Sequence, residues 1–318
     1  MDTATQHTTI AQQGTPQEVT ADLAMVRTAF ANAYLYGPAN AEDRAWVLID
    51  TGVPGFTSML KRAIETRFGA GSRPSAIILT HGHFDHVGGI EQLVQEWEVP
   101  VYAHPMELPY LTGKSSYPPG DPAVGGGAIA MLSPLYPRGP IDLGPHVQPL
   151  PEDGSVPGMA GWRWIATPGH SPGHVALFRD ADRTLIAGDA LVTVKQESAL
   201  AVISQHTEVN GPPAYFTPDW GQARQSFRVL AALEPEIIAP GHGIPLRGAT
   251  MRGALRELAQ RFDELAVPRR GRYVDEPATI NAGGVVSVPP PVGAPLQALL
   301  LAFGGALALG YLSGSRRR

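Results

Sequence analysis

The run Ile-Ile-Leu-Thr-His-Gly-His-Phe-Asp-His-Val-Gly-Gly, starting at position 77, places His81, His83, Asp85 and His86 within six residues. It follows directly on an apolar stretch that reads as a buried strand. Imidazole and carboxylate together are the ligand set for zinc and similar borderline cations. His is sparse in this chain, at 10 of 318 residues, so the spacing is a specific motif rather than a polar loop enriched by accident. It also constrains the fold. Open α/β sheets carry their sites in the loops just past the C-terminal ends of strands, which is where this cluster sits.

Composition narrows the remaining choices. There is no cysteine, which excludes disulfides, thiolate metal sites and cysteine nucleophiles. A net charge of -5 leaves no electrostatic footprint for nucleic acid. With 43% hydrophobic and 17% charged residues, the chain fits a globular protein with a substantial core. Residues 1–30 read as a polar leader, and no secretory signal pattern is visible at the start. Residues 296–312 are apolar except for Gln297, and Arg316, Arg317 and Arg318 follow. That segment lies at the lower edge of bilayer-spanning length. It is expected to form a terminal helix that either packs or contacts a membrane. The expected location is cytoplasmic, with membrane association through this segment as the alternative.

Periodicity predicts strands over 32–36 and 45–50 and a helix over 57–68, where Met59, Leu60, Ala63, Ile64 and Phe68 share a face. A strand over 76–80, a helix over 89–97 and a strand over 99–103 follow. Residues 112–145 are dense in Pro and Gly and read as a long irregular insertion, such as a lid or binding loop. Short strands are predicted over 146–150, 162–166, 174–178 and 184–187. A helix over 219–233, a strand over 236–239 and a helix over 249–266 come next, before a Pro/Gly-rich linker or loosely packed extension over 267–295. Each half mixes strands and helices, which suggests two sheets packed together with helices outside.

Three further loops end in residues of ligand type. Thr-Pro-Gly-His170-Ser-Pro-Gly-His174 follows one apolar strand, Ala-Gly-Asp189 another, and Ala-Pro-Gly-His242 a third. In each, Gly or Pro tightens the turn beside the polar group. Asp50, at the end of its own strand, is a candidate outer partner for a ligating histidine. His104 reads as structural, and His146 and His206 as solvent-exposed.

With these motifs, residues 31–265 resemble the metallo-β-lactamase superfamily, in its glyoxalase II-like branch. The resemblance implies an α/β fold, a four-layer αββα sandwich with a metal site at the sheet edge, as a catalytic domain over 31–266. It implies that His81, His83 and His170 hold one metal, that Asp85, His86 and His242 hold a second, and that Asp189 bridges them. His174 then stands near the site as a hydrogen-bonded structural residue. Two Zn(2+) ions are expected, with Fe or Mn as alternatives.

The expected activity is hydrolysis of a small ester-type substrate, a thioester or lactone, by a metal-activated hydroxide. Asp85 and Asp189 are the candidate proton carriers. The rivals are a mononuclear iron persulfide dioxygenase and a non-catalytic, metal-stabilised binding module. The absence of Cys removes the cysteine-ligated β-lactamase subclasses. His83 stands where flavodiiron oxygen reductases carry Glu. Tyr117, Tyr136, Lys195, Tyr215 and Trp220 are candidate pocket residues, and Arg138 with Lys195 is the only loose basic pair near the expected cleft.

Overall fold

Alternation along the strands builds the molecule, which is seen in a computed structural model describing residues 13–292. The first sheet takes its seven strands in chain order: β1 (Gln17–Thr20), β2 (Leu23–Thr28), β3 (Ala31–Tyr36), β4 (Val47–Ile49), β5 (Ala76–Ile78), β6 (Val101–Ala103) and β7 (Val147–Pro149). It is antiparallel up to β4 and parallel from there on. The second sheet uses β8 (Trp162–Ala166), β9 (Val175–Arg179) and β10 (Thr184–Gly188). After a small ribbon of β11 (Val192–Val194) and β12 (Thr207–Asn210), it adds β13 (Ile237–Pro240) and β14 (Leu246–Arg247), in the order β14-β13-β10-β9-β8.

Residues two apart share a face of a strand. Met25, Tyr34, Val47, Ile49 and Ile78 of the first sheet therefore meet Val175, Leu177, Ile186 and Ala239 of the second in one buried layer. Their neighbours Ala24, Val26, Leu48 and Ile77 face the other way, onto the helices Thr57–Phe68 and Ile90–Trp97. Ala176, Phe178, Leu185 and Ile238 likewise pack on the helices Trp220–Ala232 and Ala249–Gln260. This is the αββα sandwich. Each aliphatic side chain so buried stabilises the fold by roughly 1.5–3 kcal/mol, so the alternating pattern holds the two sheets in register against sliding.

Several expectations are corrected. The polar leader predicted over 1–30 includes β1 and β2, in which Val19, Leu23 and Met25 are buried. Their short apolar alternation is interrupted by Asp22 at the turn, which hid it. The insertion over 112–145 is irregular, as expected, apart from short turns and the helix Ala128–Leu132, but it is packed, burying Tyr117, Ala130, Ser133 and Leu143. A bridge between Thr112 and Asp142 closes it at the base. The predicted helix over 249–266 breaks at Arg261, and a short second helix, Phe262–Leu265, follows. Of the two readings for 267–295, residues 267–292 follow the extension rather than the linker, and they are packed rather than loose. Tyr273 and Ala278 are buried against the second helical layer, and β15 (Thr279–Asn281) pairs with β16 (Gly284–Ser287). Pro and Gly density there marks the lack of long regular elements, not the lack of packing. The apolar segment 296–312 lies outside the described residues. Among the described residues no helix is long and apolar enough to cross a membrane.

Candidate metal centre

Four strand ends deliver the ligand-type side chains to one place. His81, His83, Asp85 and His86 follow β5, while His170 follows β8, Asp189 follows β10 and His242 follows β13. The first group comes from one sheet and the other three residues from its partner, so the cluster forms where the two sheets meet at an edge. The sheets are tied together there by backbone. The Val175 N–H donates to the Thr80 carbonyl at 2.9 Å and the Asn32 N–H to the Gly241 carbonyl at 2.8 Å. The Asn32 side chain donates to the carbonyls of Pro240 and Gly243 at 2.9 and 2.8 Å, fixing the loop that carries His242.

The seven side chains are all buried. They divide into three overlapping groups whose ligand atoms lie within 4.8 Å of one another: His81, His83 and His170; His81, His86 and Asp189; and Asp85, His86 and His242. His83 Nδ1 is 3.1 Å from His81 Nε2 and 2.9 Å from His170 Nε2. Asp189 stands between the two ends, with Oδ2 3.4 Å from His170 Nε2 and 3.0 Å from His242 Nε2, and Oδ1 3.4 Å from His86 Nε2. Asp85 Oδ2 is 3.4 Å from His242 Nε2. His86 Nε2 and Asp189 Oδ1 are buried without a hydrogen-bond partner. Orphaned donor atoms inside such a cluster are expensive unless something binds them, and a cation is what lone pairs converging in this way fit.

The outward nitrogens settle which lone pairs face inward. His86 Nδ1 donates to Asp50 Oδ2 at 2.8 Å. Asp50 also accepts from the Thr80 N–H at 2.8 Å and the Thr80 hydroxyl at 2.7 Å. That hydroxyl is therefore free to accept from His81 Nδ1, 3.1 Å away. His242 Nδ1 donates to the Phe30 carbonyl at 2.8 Å. In each case Nε2 is left as the inward acceptor, the form a metal requires. Asp50 itself adopts a left-handed backbone, with φ of 56°.

Electrostatics divide the cluster. Burial, with neighbouring imidazoles, pushes His81 and His170 well below the ordinary histidine value, and burial lowers His83 to about 3. Burial opposes the cation at His86 and His242, but the carboxylates around them, Asp189 with Asp50 at His86 and Asp189 with Asp85 at His242, together outweigh it and raise both. Burial raises Asp85, whereas at Asp189 the adjacent His242 and His86 overcome burial and hold the carboxyl well down.

Gly241 shows how tightly the second end is built. A Cβ there would lie 2.0 Å from Asp189 Oδ1 and 2.9 Å from His86 Cε1. Only a residue without a side chain lets the His242 loop pass this close.

Aromatic rings wall the cluster. Phe30 stacks on His242, Phe216 tilts against His83, and Phe84 and Tyr136 pack beside Phe216. A cavity of about 10 Å³, between Pro118, Pro119, Pro218 and Tyr273, touches His83 and His170. A larger one of about 330 Å³ is lined by Lys195, Gln196 and Arg269. Gln196 Nε2 lies 3.3 Å from His242 Nδ1.

Of the predicted pocket residues, Lys195 is exposed on that larger cavity and Tyr136 and Tyr215 join the aromatic wall. Trp220 instead packs in the core beneath the second helical layer. Tyr117 is buried, with its ring edge on His83. Arg138 donates to the Tyr117 carbonyl at 3.1 Å. His104 accepts from the Met106 N–H and so caps a turn, and His146 and His206 are exposed.

Four outer partners escaped the sequence reading: Thr80, the Phe30 carbonyl, Thr167, whose hydroxyl meets His174 Nδ1, and Glu107, whose carboxylate accepts from the Gly82 N–H and the Ser171 hydroxyl. A backbone carbonyl and two Thr hydroxyls leave no pattern. Glu107 had one signal, its place in the loop after another strand of the same sheet, β6.

Fold and site together define a class. The family model described as the metallo-beta-lactamase superfamily matches residues 26–242, and the chain belongs to that superfamily. Among individual relatives, it is 53% identical over 225 residues to a probable metallo-hydrolase, YflN, of Bacillus subtilis, covering 71% of this chain and 85% of that one. It is 32% identical over 166 residues to a hydroxyacylglutathione hydrolase of Alkalilimnicola ehrlichii, covering 51% of this chain and 48% of that one. A β-lactamase domain protein from Burkholderia ambifaria shares the fold, with a TM-score of 0.54 at 23% identity over 80% of this chain and 79% of that one.

Proposed function

We propose that this metallo-hydrolase family member is a dinuclear enzyme that cleaves a small ester-type substrate, a thioester or lactone. The observation that carries the reading is Asp189. Its carboxylate reaches both halves of the cluster, with Oδ2 between His170 of one group and His242 of the other, and Oδ1 toward His86. His81, His83 and His170 would hold one cation, and Asp85, His86 and His242 the other. Zn(2+) is the expected metal, with Fe or Mn as alternatives. Bound divalent cations supply Lewis acidity and bring the pKa of coordinated water toward neutrality.

The chain's own residues do the rest. Asp50, Thr80 and the Phe30 carbonyl hold three imidazoles with Nε2 inward. The rings of Phe30, Phe84 and Phe216 keep bulk water from the cluster. Asp85 or Asp189 carries a proton to the leaving group. The substrate is a small molecule rather than nucleic acid, in keeping with the net charge of -5.

The test is metal quantitation of the purified chain beside a panel of thioester, lactone, phosphodiester and β-lactam substrates. Two metals per chain with thioester or lactone turnover supports the proposal. One iron per chain with oxygen-dependent persulfide oxidation replaces it with a dioxygenase. Full metal loading with no turnover leaves a binding module.

A further inference from the structure

Glu107 is fully buried behind the cluster, and all four of its polar contacts are donors. Oε2 accepts from the Gly82 N–H at 3.0 Å and from the Tyr117 hydroxyl. Oε1 accepts from the Ser171 hydroxyl and the Gly173 N–H, both at 2.7 Å. Gly82 lies between His81 and His83, and Ser171 follows His170. One carboxylate therefore joins the two loops that supply three of the histidines, one oxygen to each.

Neither loop could approach it with a larger residue. A Cβ on Gly82 would stand 2.5 Å from the Tyr117 hydroxyl oxygen, and one on Gly173 would stand 2.8 Å from the Glu107 backbone nitrogen. The glycines of His-Gly-His and Pro-Gly-His thus serve the carboxylate behind the site as well as the turn. Tyr117 extends the link to the 112–145 insertion, since its ring also lies against His83 and stacks on Tyr110 at 3.9 Å.

We propose that Glu107 is a positioning residue for the first metal, setting the separation of the His81–His83 pair from His170 by clamping both loops to a single carboxylate. The proposal rests on the reading that these three histidines hold a cation. An ionised carboxylate accepts at both oxygens, whereas a glutamine of the same shape must turn its NH₂ toward one loop. The hydroxyls of Tyr117 and Ser171 can rotate to accept, but the backbone N–H of Gly82 or Gly173 cannot. Glu107→Gln therefore releases one loop while filling the same space.

The experiment is stepwise removal of Zn(2+) from the full-length chain by a chromophoric chelator, together with the visible absorption of the Co(2+)-loaded form. In Glu107→Gln one metal equivalent should dissociate about 10–100-fold more readily and its Co(2+) bands should shift, while the other keeps wild-type behaviour. Two equivalents at wild-type affinity overturn the role of Glu107, and so does equal weakening of both, which marks a general scaffold residue. A wild-type chain that takes up no metal overturns the metal reading itself and this proposal with it. If Glu107→Gln does not fold, Tyr117→Phe and Ser171→Ala each delete one donor and leave the carboxylate in place. A several-fold weakening of the same single equivalent is then expected, and wild-type affinity in both variants overturns the proposal.

Discussion

His174 Nε2 accepts the backbone N–H of Asp189 at 2.9 Å, while its Nδ1 donates to the Thr167 hydroxyl at 2.7 Å. Both of its ring nitrogens are thus engaged outside the ligand groups, and it acts on the peptide that carries the Asp189 carboxylate. His174→Ala leaves that N–H buried and unpaired, a cost of about 1–3 kcal/mol. Urea denaturation of the metal-free chain should show the loss, and metal titration should show weaker uptake at both positions.

Asp50→Asn separates chemistry from backbone strain. Asn tolerates the left-handed conformation that Asp50 adopts, so the turn survives. Its NH₂ must nevertheless face His86 or Thr80, all of which donate to Asp50 in the native site. Metal affinity is expected to fall about 10–100-fold, read by competition with a chelator. Unchanged affinity would remove Asp50 from the support of the site.

Gly241→Ala should be more severe than any removal of a single outer partner. The added methyl meets a carboxylate oxygen and an imidazole carbon together, and the loop backbone cannot retreat without moving His242. The expected result is loss of at least one metal equivalent by elemental analysis, in a chain that keeps its far-ultraviolet circular dichroism.

Asp85→Asn should keep most of the metal and lower turnover about 100-fold or more, the range for losing a general acid or base. Steady-state rates against metal content per chain measure this. Full turnover at full loading would take Asp85 out of the chemistry.

The metal-free chain is expected to be most stable near pH ~6.5, the ordinary histidine value. Below that value the unfolded chain takes up protons that His81, His83 and His170, held neutral by burial, refuse, so stability falls as pH falls. Above it the unfolded chain has released protons that His86 and His242 retain in the fold, where Asp189 with Asp50 or Asp85 together outweigh their burial. Stability then falls as pH rises through the folded values. Metal binding must displace those retained protons, so affinity should climb over the same rise in pH. Denaturation and metal titration on either side of the maximum test both slopes, and a monotonic stability profile would contradict the assignment.

What the sequence made legible was what repeats or concentrates. Strand alternation at 162–166 and helical spacing at 57–68 gave bounds that the structure matches residue for residue, because burial on one face leaves a period. The ligand-type residues were legible because each ends an apolar run. β1 and β2 were hidden by a polar start and by Asp22 at their turn, and the ribbon of β11 and β12 was too short to show a period. The outer partners were invisible for a different reason. Thr80 and the Phe30 carbonyl left no local pattern, and Glu107 left only its place after β6, because all three matter through contacts with residues elsewhere in the chain.

Four of the seven ligand-type residues leave the first sheet and three leave the second. In a chain without cysteine, a cation held among them would do the work of a covalent cross-link, fastening the rims of two sheets that otherwise cohere through apolar contact and hydrogen bonds such as those of Asn32. Without such an ion the sandwich would be held less firmly at this edge, so a metal bound there would shape the rim of its own site.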